Sequence, residues 1–266
     1  MSANIFYNHQ IFTPENWDKL GLNRGLFFGE SPFTTIRLSG GSFLGLNHHL
    51  RRLARSIYFL WNSDFKEFEK QILDGLKSLH ENEGEFYFRI TFVKNLNNEV
   101  DFFIYKLPFV DNEGELHLEV SNTIKGKGEL PNYLKIGNYT EHSCELRKRS
   151  CSELIYFNYE GELLECGTNN IFLIKDQTIL TPSLVPGVLD GICRSFLLDF
   201  LRSKNFIVRE TKLLRDDLET CDEVWLTNAL RGVRAAHLLG TRKLERKFFK
   251  EIDEEFITFV RNYDQA

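Results

Sequence analysis

The sequence has no apolar run long enough to cross a membrane and no secretory signal. Its apolar stretches stay below the roughly 18 residues that a transmembrane helix requires. The first residues, MSANIFYNHQ, lack the basic segment followed by an apolar run that marks a signal peptide. We therefore predict a cytoplasmic protein without a membrane partner.

Paired cysteines and an excess of basic residues are also absent. The cysteines are odd in number and show no CxxC spacing, which argues against a disulfide framework or a zinc site. They are Cys144, Cys151, Cys166, Cys193 and Cys221. The net charge of −5 argues against a general nucleic-acid-binding protein. We expect a small-molecule ligand, no nucleic acid and no metal.

The first part of the chain alternates strand and helix patterns. TTIRLSGGSFLGL is typical of two strands joined at Gly40-Gly41. Asn47 precedes HHLRRLARSIYFLW, so we expect it to be the N-cap of a helix. The apolar side chains of this helix recur on one face at Leu50, Leu53, Ile57 and Leu60. A second helix, FKEFEKQILDGLKSLHE, and two strands, EFYFRITFVK and EVDFFIYKL, follow.

The periodicity breaks near PFVDNEGE, where we place a domain boundary. We predict a smaller N-terminal α/β domain at residues 1–110, a linker at 111–114 and a larger C-terminal domain at 115–266. The second part opens with strands and closes with helices. Its strands ELIYFN, GELLEC, IFLIK and TILTP read as one meander. The expected fold class is α/β (α+β) with mixed sheets.

Four features of the second part could carry chemistry. Glu165 ends a strand before the turn CGTNN; its carboxylate either pairs with a cationic ligand nitrogen or caps turn amides. PGVLDGICR opens a helix on glycines, where free N–H groups favour an anion such as phosphate. Thr227 and Asn228 end another strand and supply either ligand donors or an ordinary turn. Lys135, in NYLKIGNYTE, is either a solvated edge residue or an amine that reacts with an aldehyde.

The order of these motifs resembles that of the class IV aminotransferases, the fold-type IV pyridoxal-phosphate enzymes. LKIGNY, ELIYFNYEGELLECGTNNIFLI, PGVLDGICR and CDEVWLTNALRGV follow one another as in that family. Upstream, FFGESPFTTIRLSGGSFLGLNHHLRRLARS is similar to the family's F-G-D-G-x-F-E-T-I-R and E-H-x-x-R-L signatures. The resemblance spans roughly residues 20 to 240. It implies a homodimer of two-domain subunits, with a mixed or barrel-like sheet and flanking helices in each domain.

The resemblance also assigns roles around the ring of the cofactor, pyridoxal 5′-phosphate. Lys135 matches the lysine that binds the cofactor covalently and then serves as general base. Glu165 matches the acid that pairs with the pyridinium nitrogen, and Tyr139 is expected near the phenolic oxygen. Burial and the cofactor's charge are expected to lower the pKa of Lys135.

A second group of residues is expected at the cofactor phosphate. Arg52 matches the arginine of E-H-x-x-R-L and would bind the phosphate as a charged fork. The backbone amides of Ile192 and Cys193 would complete the phosphate site together with Thr227 or Asn228.

The sequence departs from the family pattern at several positions. Thr34 stands where the signature has its second acid, and His48-His49 replaces the E-H pair. Cys193 replaces the usual threonine of G-I-T-R, so only its backbone N–H can donate strongly to phosphate. Lys125 and Lys127, in a glycine-rich turn, are poorer candidates than Lys135 for a fixed catalytic amine.

The resemblance leaves the reaction open. F-T-T-x-R and N-A-L favour aminodeoxychorismate lyase, which converts 4-amino-4-deoxychorismate to 4-aminobenzoate and pyruvate in folate synthesis. A branched-chain or D-amino acid aminotransferase that uses 2-oxoglutarate is the alternative, and an inactive binding homologue is a third. The candidate residues for substrate contact are Phe33, Arg89, Lys94 and Arg231, with Arg234 as a further cation.

Overall fold

Short strands and amphipathic helices alternate along the chain. The structure is a computed structural model that describes residues 5–7, 10–12, 21, 23–111, 114–125, 130–185 and 187–263. Its helices are α1 (Arg24–Phe28), α2 (Leu46–Trp61), α3 (Lys66–Ser78), α4 (Thr140–Leu146), α5 (Ile192–Ser203), α6 (Arg215–Thr220) and α7 (Asp253–Tyr263). Its strands are β1 (Ile5–Tyr7), β2 (Gln10–Phe12), β3 (Phe33–Ser39), β4 (Ser42–Phe43), β5 (Glu85–Lys94), β6 (Val100–Pro108), β7 (His117–Lys125), β8 (Glu153–Asn158), β9 (Leu163–Cys166), β10 (Asn170–Lys175), β11 (Thr178–Pro182), β12 (Val208–Thr211), β13 (Glu223–Asn228), β14 (Gly232–Ala235), β15 (Leu238–Leu239) and β16 (Arg242–Lys243).

The first part of the chain forms a four-stranded antiparallel sheet in the order β4-β3-β5-β6. The predicted hairpin between β3 and β4 is confirmed. It turns on Gly40 and Gly41, whose φ angles of 53° and 78° favour glycine. Helices α2 and α3 cover one face of the sheet, where apolar side chains of both helices pack on Ile36, Phe88 and Ile90.

The predicted start of α2 is wrong. The helix begins at Leu46 after Gly45, which has a φ of 69°, and Asn47 lies inside its first turn. A Cβ added at Gly45 would lie 2.8 Å from the ring of Phe196 in α5. Close packing between α2 and α5 therefore determines where the helix starts, and tertiary contact overrides the local capping preference of Asn47.

The second part of the chain contains two five-stranded sheets with both parallel and antiparallel pairs. One has the order β16-β15-β7-β8-β9 and the other the order β12-β11-β10-β13-β14. Apolar side chains from both sheets, among them Leu118, Ile155, Leu173 and Val224, form a core between them. The expected α/β class with mixed sheets is confirmed.

The predicted single meander is wrong. Strands β8 and β9 pair with each other in one sheet, whereas β10 and β11 pair in the other. The chain changes sheets in the turn between Cys166 and Asn170. Apolar residues alternate in the same way in either sheet, so the sequence pattern did not indicate this crossing. The crossing places Glu165 near the end of β9, next to the turn.

The C-terminal segment packs on the β12-β11-β10-β13-β14 sheet, on the face that points away from the core between the two sheets. Ile252, Phe256 and Val260 of the terminal segment join Phe196 and Phe200 of α5 in one core cluster. These apolar side chains of the tail therefore serve core packing. No helix in the described ranges is long and apolar enough to cross a membrane.

Candidate active site

A cavity of about 310 Å³ opens between the first sheet and the turn at which the chain changes sheets. Strand β3, the segment before α4, the end of β9, the start of α5 and the end of β13 all contribute to its wall. The candidate residues that line it are Phe33, Arg52, Arg89, Lys135, Tyr139, Glu165, Ile192, Cys193, Thr227, Asn228 and Arg231. The fold therefore brings together residues that are far apart in the sequence.

Lys135 lies in an irregular segment that is fixed to β3. Its carbonyl accepts a hydrogen bond from the Phe33 N–H at 2.9 Å, and Ile136 forms an isolated bridge with Pro32. The Lys135 Nζ donates to Tyr139 Oη at 2.9 Å. Burial, followed by the positive charge of Arg52, lowers the pKa of Lys135 to about 7. Such an amine can accept a proton near neutral pH.

Tyr139 stands at the N-terminus of α4 and faces the same cavity. Its ring contacts Phe33 edge-on, with the centroids 6.1 Å apart. Burial, followed by the charge of Glu165, raises the pKa of Tyr139 to about 12. The phenol therefore keeps its proton and can donate it to an oxygen of a bound molecule while it accepts from Lys135.

Glu165 is aimed by groups from two neighbouring segments. Its Oε2 accepts from the Leu189 N–H at 2.9 Å and from Asn170 Nδ2 at 3.2 Å. Lys125 Nζ lies 3.7 Å from Oε1. Burial raises the pKa of Glu165, whereas Lys125 opposes the rise. The carboxylate is thus fixed in a site where a cationic partner is favourable.

The N–H groups of the turn after β9 donate to a different acid, Glu153, which was not among the candidate residues. This side chain is 3% exposed. Its carboxylate accepts from the N–H groups of Gly167 and Thr168, both at 3.2 Å, and from the Thr168 hydroxyl and Asn169 Nδ2, both at 2.7 Å. The signal was present in the sequence, since an acid that opens an apolar strand such as ELIYFN needs partners when it is buried.

Arg52 reaches the cavity from α2 and is positioned by a small polar network. Its Nη2 donates to Thr34 Oγ1 at 3.0 Å, and Thr34 Oγ1 lies 2.5 Å from His49 Nδ1. Its Nη1 donates to the Asp190 carbonyl at 3.4 Å. Burial lowers the pKa of Arg52 to about 10, so the guanidinium remains charged at neutral pH. Its Nε is buried and has no hydrogen-bond partner among the described residues.

The N-terminus of α5 provides further donors close to Arg52. No side chain caps this helix, and the first-turn amides of Ile192 and Cys193 have no acceptor within the helix. Thr227 is 1% exposed, and its hydroxyl has no hydrogen-bond partner in the described part of the chain. The Arg52 guanidinium with its unpaired Nε, the unpaired Thr227 hydroxyl and the helix N-terminus therefore lie together at one end of the cavity. These groups fit a phosphate.

Asn228 lines the same end of the cavity, but its side chain serves the loop that follows β13. Its Oδ1 accepts from the N–H groups of Leu230 at 3.0 Å and Arg231 at 2.8 Å. Its Nδ2 donates to Asn169 Oδ1 at 2.6 Å. Asn228 therefore shapes the loop and joins it to the turn after β9.

Comparison with known proteins agrees with this geometry. The family model for amino-transferase class IV matches residues 31–239. The chain belongs to the class IV aminotransferase family. A probable branched-chain-amino-acid aminotransferase of Thermotoga maritima is 26% identical over 93% of this chain and 94% of its own length. An aminodeoxychorismate lyase of Bacillus subtilis is 25% identical over 78% of this chain and 77% of its own.

A solved structure of a branched-chain aminotransferase shows the same fold. The branched-chain aminotransferase of the thermophilic archaeon Thermoproteus uzoniensis, solved with norvaline, superposes with a TM-score of 0.81 at 20% identity. The match covers 98% of this chain and 96% of that one. The fold is that of the fold-type IV enzymes, as the resemblance implied, and members of this class IV aminotransferase family are enzymes.

On the side of β3 and β5, the wall of the cavity is polar and aromatic. The Arg89 guanidinium stacks on the Phe33 ring at 3.6 Å, and its Nε donates to Thr91 Oγ1 at 3.0 Å. Thr35 and Tyr87 also line this side. This wall contains hydrogen-bonding groups and one cation rather than aliphatic side chains.

Two of the candidate cations lie elsewhere. Lys94 ends β5 and does not line the cavity; the pKa of Glu30 is lowered mainly by its hydrogen bond with Arg24, and the charge of Lys94 adds a smaller effect. The role of Lys94 as a substrate contact therefore stays a prediction. Arg234 does not line this cavity either and donates to the Gly114 carbonyl at 3.2 Å. Lys127 lies outside the described residues.

Proposed function

We propose that this chain binds pyridoxal 5′-phosphate and acts as a 4-amino-4-deoxychorismate lyase. Fold-type IV aminotransferases use this cofactor. The unpaired Thr227 hydroxyl and Arg52 Nε, next to the α5 N-terminus, support binding of its phosphate. Glu165 supports binding of its ring nitrogen, because the carboxylate is buried and pre-aimed.

The residues of this chain would divide the work as follows. Pyridoxal phosphate supplies an electron sink for a substrate carbanion. Lys135 takes the proton from the amine-bearing carbon of the substrate, for which its pKa of about 7 is suited. Tyr139 would hold the Lys135 amine by its hydrogen bond. Glu165 would place a negative charge beside the ring nitrogen of the cofactor. The C–O bond to the enolpyruvyl group would then break, the departing enolate would take up a proton to become pyruvate, and the ring would become aromatic as 4-aminobenzoate.

The observation that favours the lyase is the polar wall of the cavity on the side of β3 and β5. The substrate 4-amino-4-deoxychorismate carries two carboxylates, which need cationic or hydrogen-bonding partners. Arg89, fixed on Phe33 at 3.6 Å, offers a guanidinium on this side, and Arg231 lines the cavity as a second cation. A pocket for a branched aliphatic side chain would instead be lined mainly by apolar groups.

The second candidate is a branched-chain or D-amino acid aminotransferase that uses 2-oxoglutarate. The full-length match to the Thermotoga maritima relative, over 93% of this chain, supports it. In that reaction Lys135 would move a proton between the substrate α-carbon and the cofactor, and Phe33 would line the side-chain pocket. The homodimer that the resemblance implies and the cytoplasmic location stay predictions.

Reduction with borohydride tests the cofactor and its lysine. We expect the wild-type protein to absorb visible light with bound pyridoxal phosphate, and borohydride to fix the cofactor on the peptide that contains Lys135. Lys135→Ala should lose this attachment, whereas Lys125→Ala should keep it. A colourless wild-type protein that takes up no pyridoxal phosphate would leave the third possibility, an inactive binding homologue.

Substrate assays separate the two reactions. We expect release of pyruvate from 4-amino-4-deoxychorismate, and a fall in rate of about 10²–10⁴-fold in Lys135→Ala. Glutamate formation from branched-chain or D-amino acids and 2-oxoglutarate, without pyruvate release, would overturn the lyase in favour of the aminotransferase. Arg89→Gln should raise the KM for the dicarboxylate substrate without loss of bound cofactor.

A further inference from the structure

A second cavity, of about 530 Å³, lies between the two parts of the chain, and we call it the arginine cavity. Side chains from β3, β14, α5, α7 and the loop before β14 line it. Its arginines come from both parts of the chain and are Arg37, Arg231, Arg234, Arg246 and Arg261. Asp111 is the one carboxylate among the described residues of the lining.

Few of these charges are neutralised within the described part of the chain. Arg37 pairs with Glu85 at 2.7 Å, and Arg231 Nε lies 3.5 Å from Asp111 Oδ1. Arg234 and Arg261 donate to neutral oxygens instead, the Gly114 carbonyl and the Ser39 hydroxyl, both at 3.2 Å. The cavity therefore has a surplus of positive charge.

Arg246 has donors without acceptors. Its Nη1 lies 2.7 Å from His237 Nε2, while His237 Nδ1 accepts from the Leu116 N–H at 3.0 Å. Burial, followed by the charge of Arg246, lowers the pKa of His237, so the ring is neutral and carries one hydrogen. A neutral imidazole accepts through only one of its two nitrogens, so His237 cannot accept from both the Leu116 N–H and Arg246 Nη1. Arg246 Nε is also buried without a hydrogen-bond partner among the described residues.

The arginines also repel one another. Burial lowers the pKa of Arg234; the charges of Arg231 and Arg246 act in the same direction, whereas the charge of Asp111 opposes them. Like charges in a partly desolvated cavity destabilise the fold unless an anion joins them. A carboxylate or phosphate offers the paired oxygens that match a guanidinium fork, and one oxyanion group could serve two arginines.

We propose that the arginine cavity binds a small anion that carries at least two carboxylate or phosphate groups. Arg246 and Arg234 are its main ligands. The site is distinct from the catalytic cavity, although Ile192, Cys193 and the loop from Asn228 to Arg231 line both. A bound anion would therefore lie behind the phosphate end of the catalytic cavity, with that loop between the two.

Isothermal titration calorimetry of the full chain tests this site, with citrate and pyrophosphate as probes and acetate as a monoanion for comparison. The titrations use protein saturated with pyridoxal phosphate at constant ionic strength. We expect one molecule of citrate or pyrophosphate to bind each chain. Citrate alone would identify a carboxylate ligand, and pyrophosphate alone a phosphate ligand. Binding of neither probe would overturn the proposal.

Variants locate the bound probe. Arg246→Gln should weaken binding by about tenfold or more, because it removes a charged donor that lacks other acceptors. Arg234→Gln should weaken binding by a similar factor, and this variant serves as the test if Arg246→Gln does not fold. Arg209→Gln, at an exposed arginine of β12, should change nothing.

A last variant keeps this result separate from the proposed reaction. Arg52→Gln should retain citrate and pyrophosphate binding, because Arg52 lines only the catalytic cavity. Loss of binding in Arg52→Gln, with full binding in Arg246→Gln, would place the probe in the catalytic cavity and overturn the proposal. Since the readout is binding, a failure of the lyase assay would not affect it.

Discussion

At the scale of single residues, the buried amine of Lys135 is expected to destabilise the cofactor-free chain. Its pKa falls from 10.5 to about 7, so the unfolded chain binds more protons than the folded chain between these two values. The free energy of unfolding that the buried ammonium removes is largest below pH 7, and this loss disappears as the pH rises to 10.5. We expect Lys135→Met to raise the free energy of unfolding by about 2 kcal/mol at pH 6–7, after allowance for solvent screening.

Urea unfolding of the cofactor-free protein across this pH range checks the expectation. The gain of Lys135→Met over the wild type should shrink steadily toward high pH. Lys148→Met, at an exposed lysine, controls for the loss of one positive charge. A Lys135→Met protein that is less stable than the wild type at every pH would mean that the ammonium is well solvated or paired.

The sequence predicted some site residues and missed others for a physical reason. Lys135 and Glu165 stand in short local strings, so a motif match is enough to find them. Thr34 and His49 are 15 residues apart, and their contact with each other depends on how α2 packs against β3. Glu153 opens an apolar strand, which indicates that a buried acid needs partners, but the strand pattern does not show that these partners are the amides of a turn 14 residues later.

At the scale of elements, the crossing between β9 and β10 positions the site, and it could not be read from the sequence. The alternation of apolar and polar residues predicted the strands, but the same two-residue period is compatible with one sheet or with two. The crossing sets Asn170 beside Leu189 and Glu165, and Asn170 Nδ2 donates to the Leu189 carbonyl at 2.8 Å. Asn170 thereby links the acid of the site to the segment that leads into α5.

Gly191 is the position at which this link is most sensitive. Its φ of −76° suits any residue, but an added Cβ would overlap Asn170 Oδ1. We expect Gly191→Ala to displace Asn170, loosen Glu165 and shift the N-terminus of α5. Pyridoxal phosphate affinity, measured by absorbance titration, should fall about tenfold or more, which corresponds to roughly 1.4 kcal/mol.

Gly114→Ala is the matched control, because a Cβ there would meet nothing within 4 Å. It should leave the affinity for pyridoxal phosphate unchanged. Equal affinity in Gly191→Ala and the wild type would show that Asn170 can move without disturbing the site. In that case the orientation of the Glu165 carboxylate would not depend on the position of Asn170.

At the scale of the whole molecule, helix α7 joins the two parts of the chain although it lies beyond the matched family segment. The family model ends at residue 239, whereas α7 spans Asp253–Tyr263. Tyr263 contacts His48 of α2 and Phe196 of α5, with ring centroids 5.6 and 4.5 Å apart. The division at residues 110 and 115 stays a prediction, and α7 bridges it.

Phe256 is the residue through which α7 is expected to stabilise the whole chain. It is 2% exposed, and its ring packs edge-on against Phe200 of α5 with centroids 5.6 Å apart. Phe256→Ala should lower the free energy of unfolding by about 3–4 kcal/mol, because it leaves a cavity in the core that supports the α5 N-terminus.

Urea unfolding with and without pyridoxal phosphate measures this effect on the whole molecule. The neighbouring Ile257 is 49% exposed, so Ile257→Ala should cost about 1 kcal/mol or less. One cooperative transition, shifted in Phe256→Ala, is expected if α7 and both sheets unfold together. If Phe256→Ala instead unfolds in two steps, α7 separates before the rest, and the site does not depend on it.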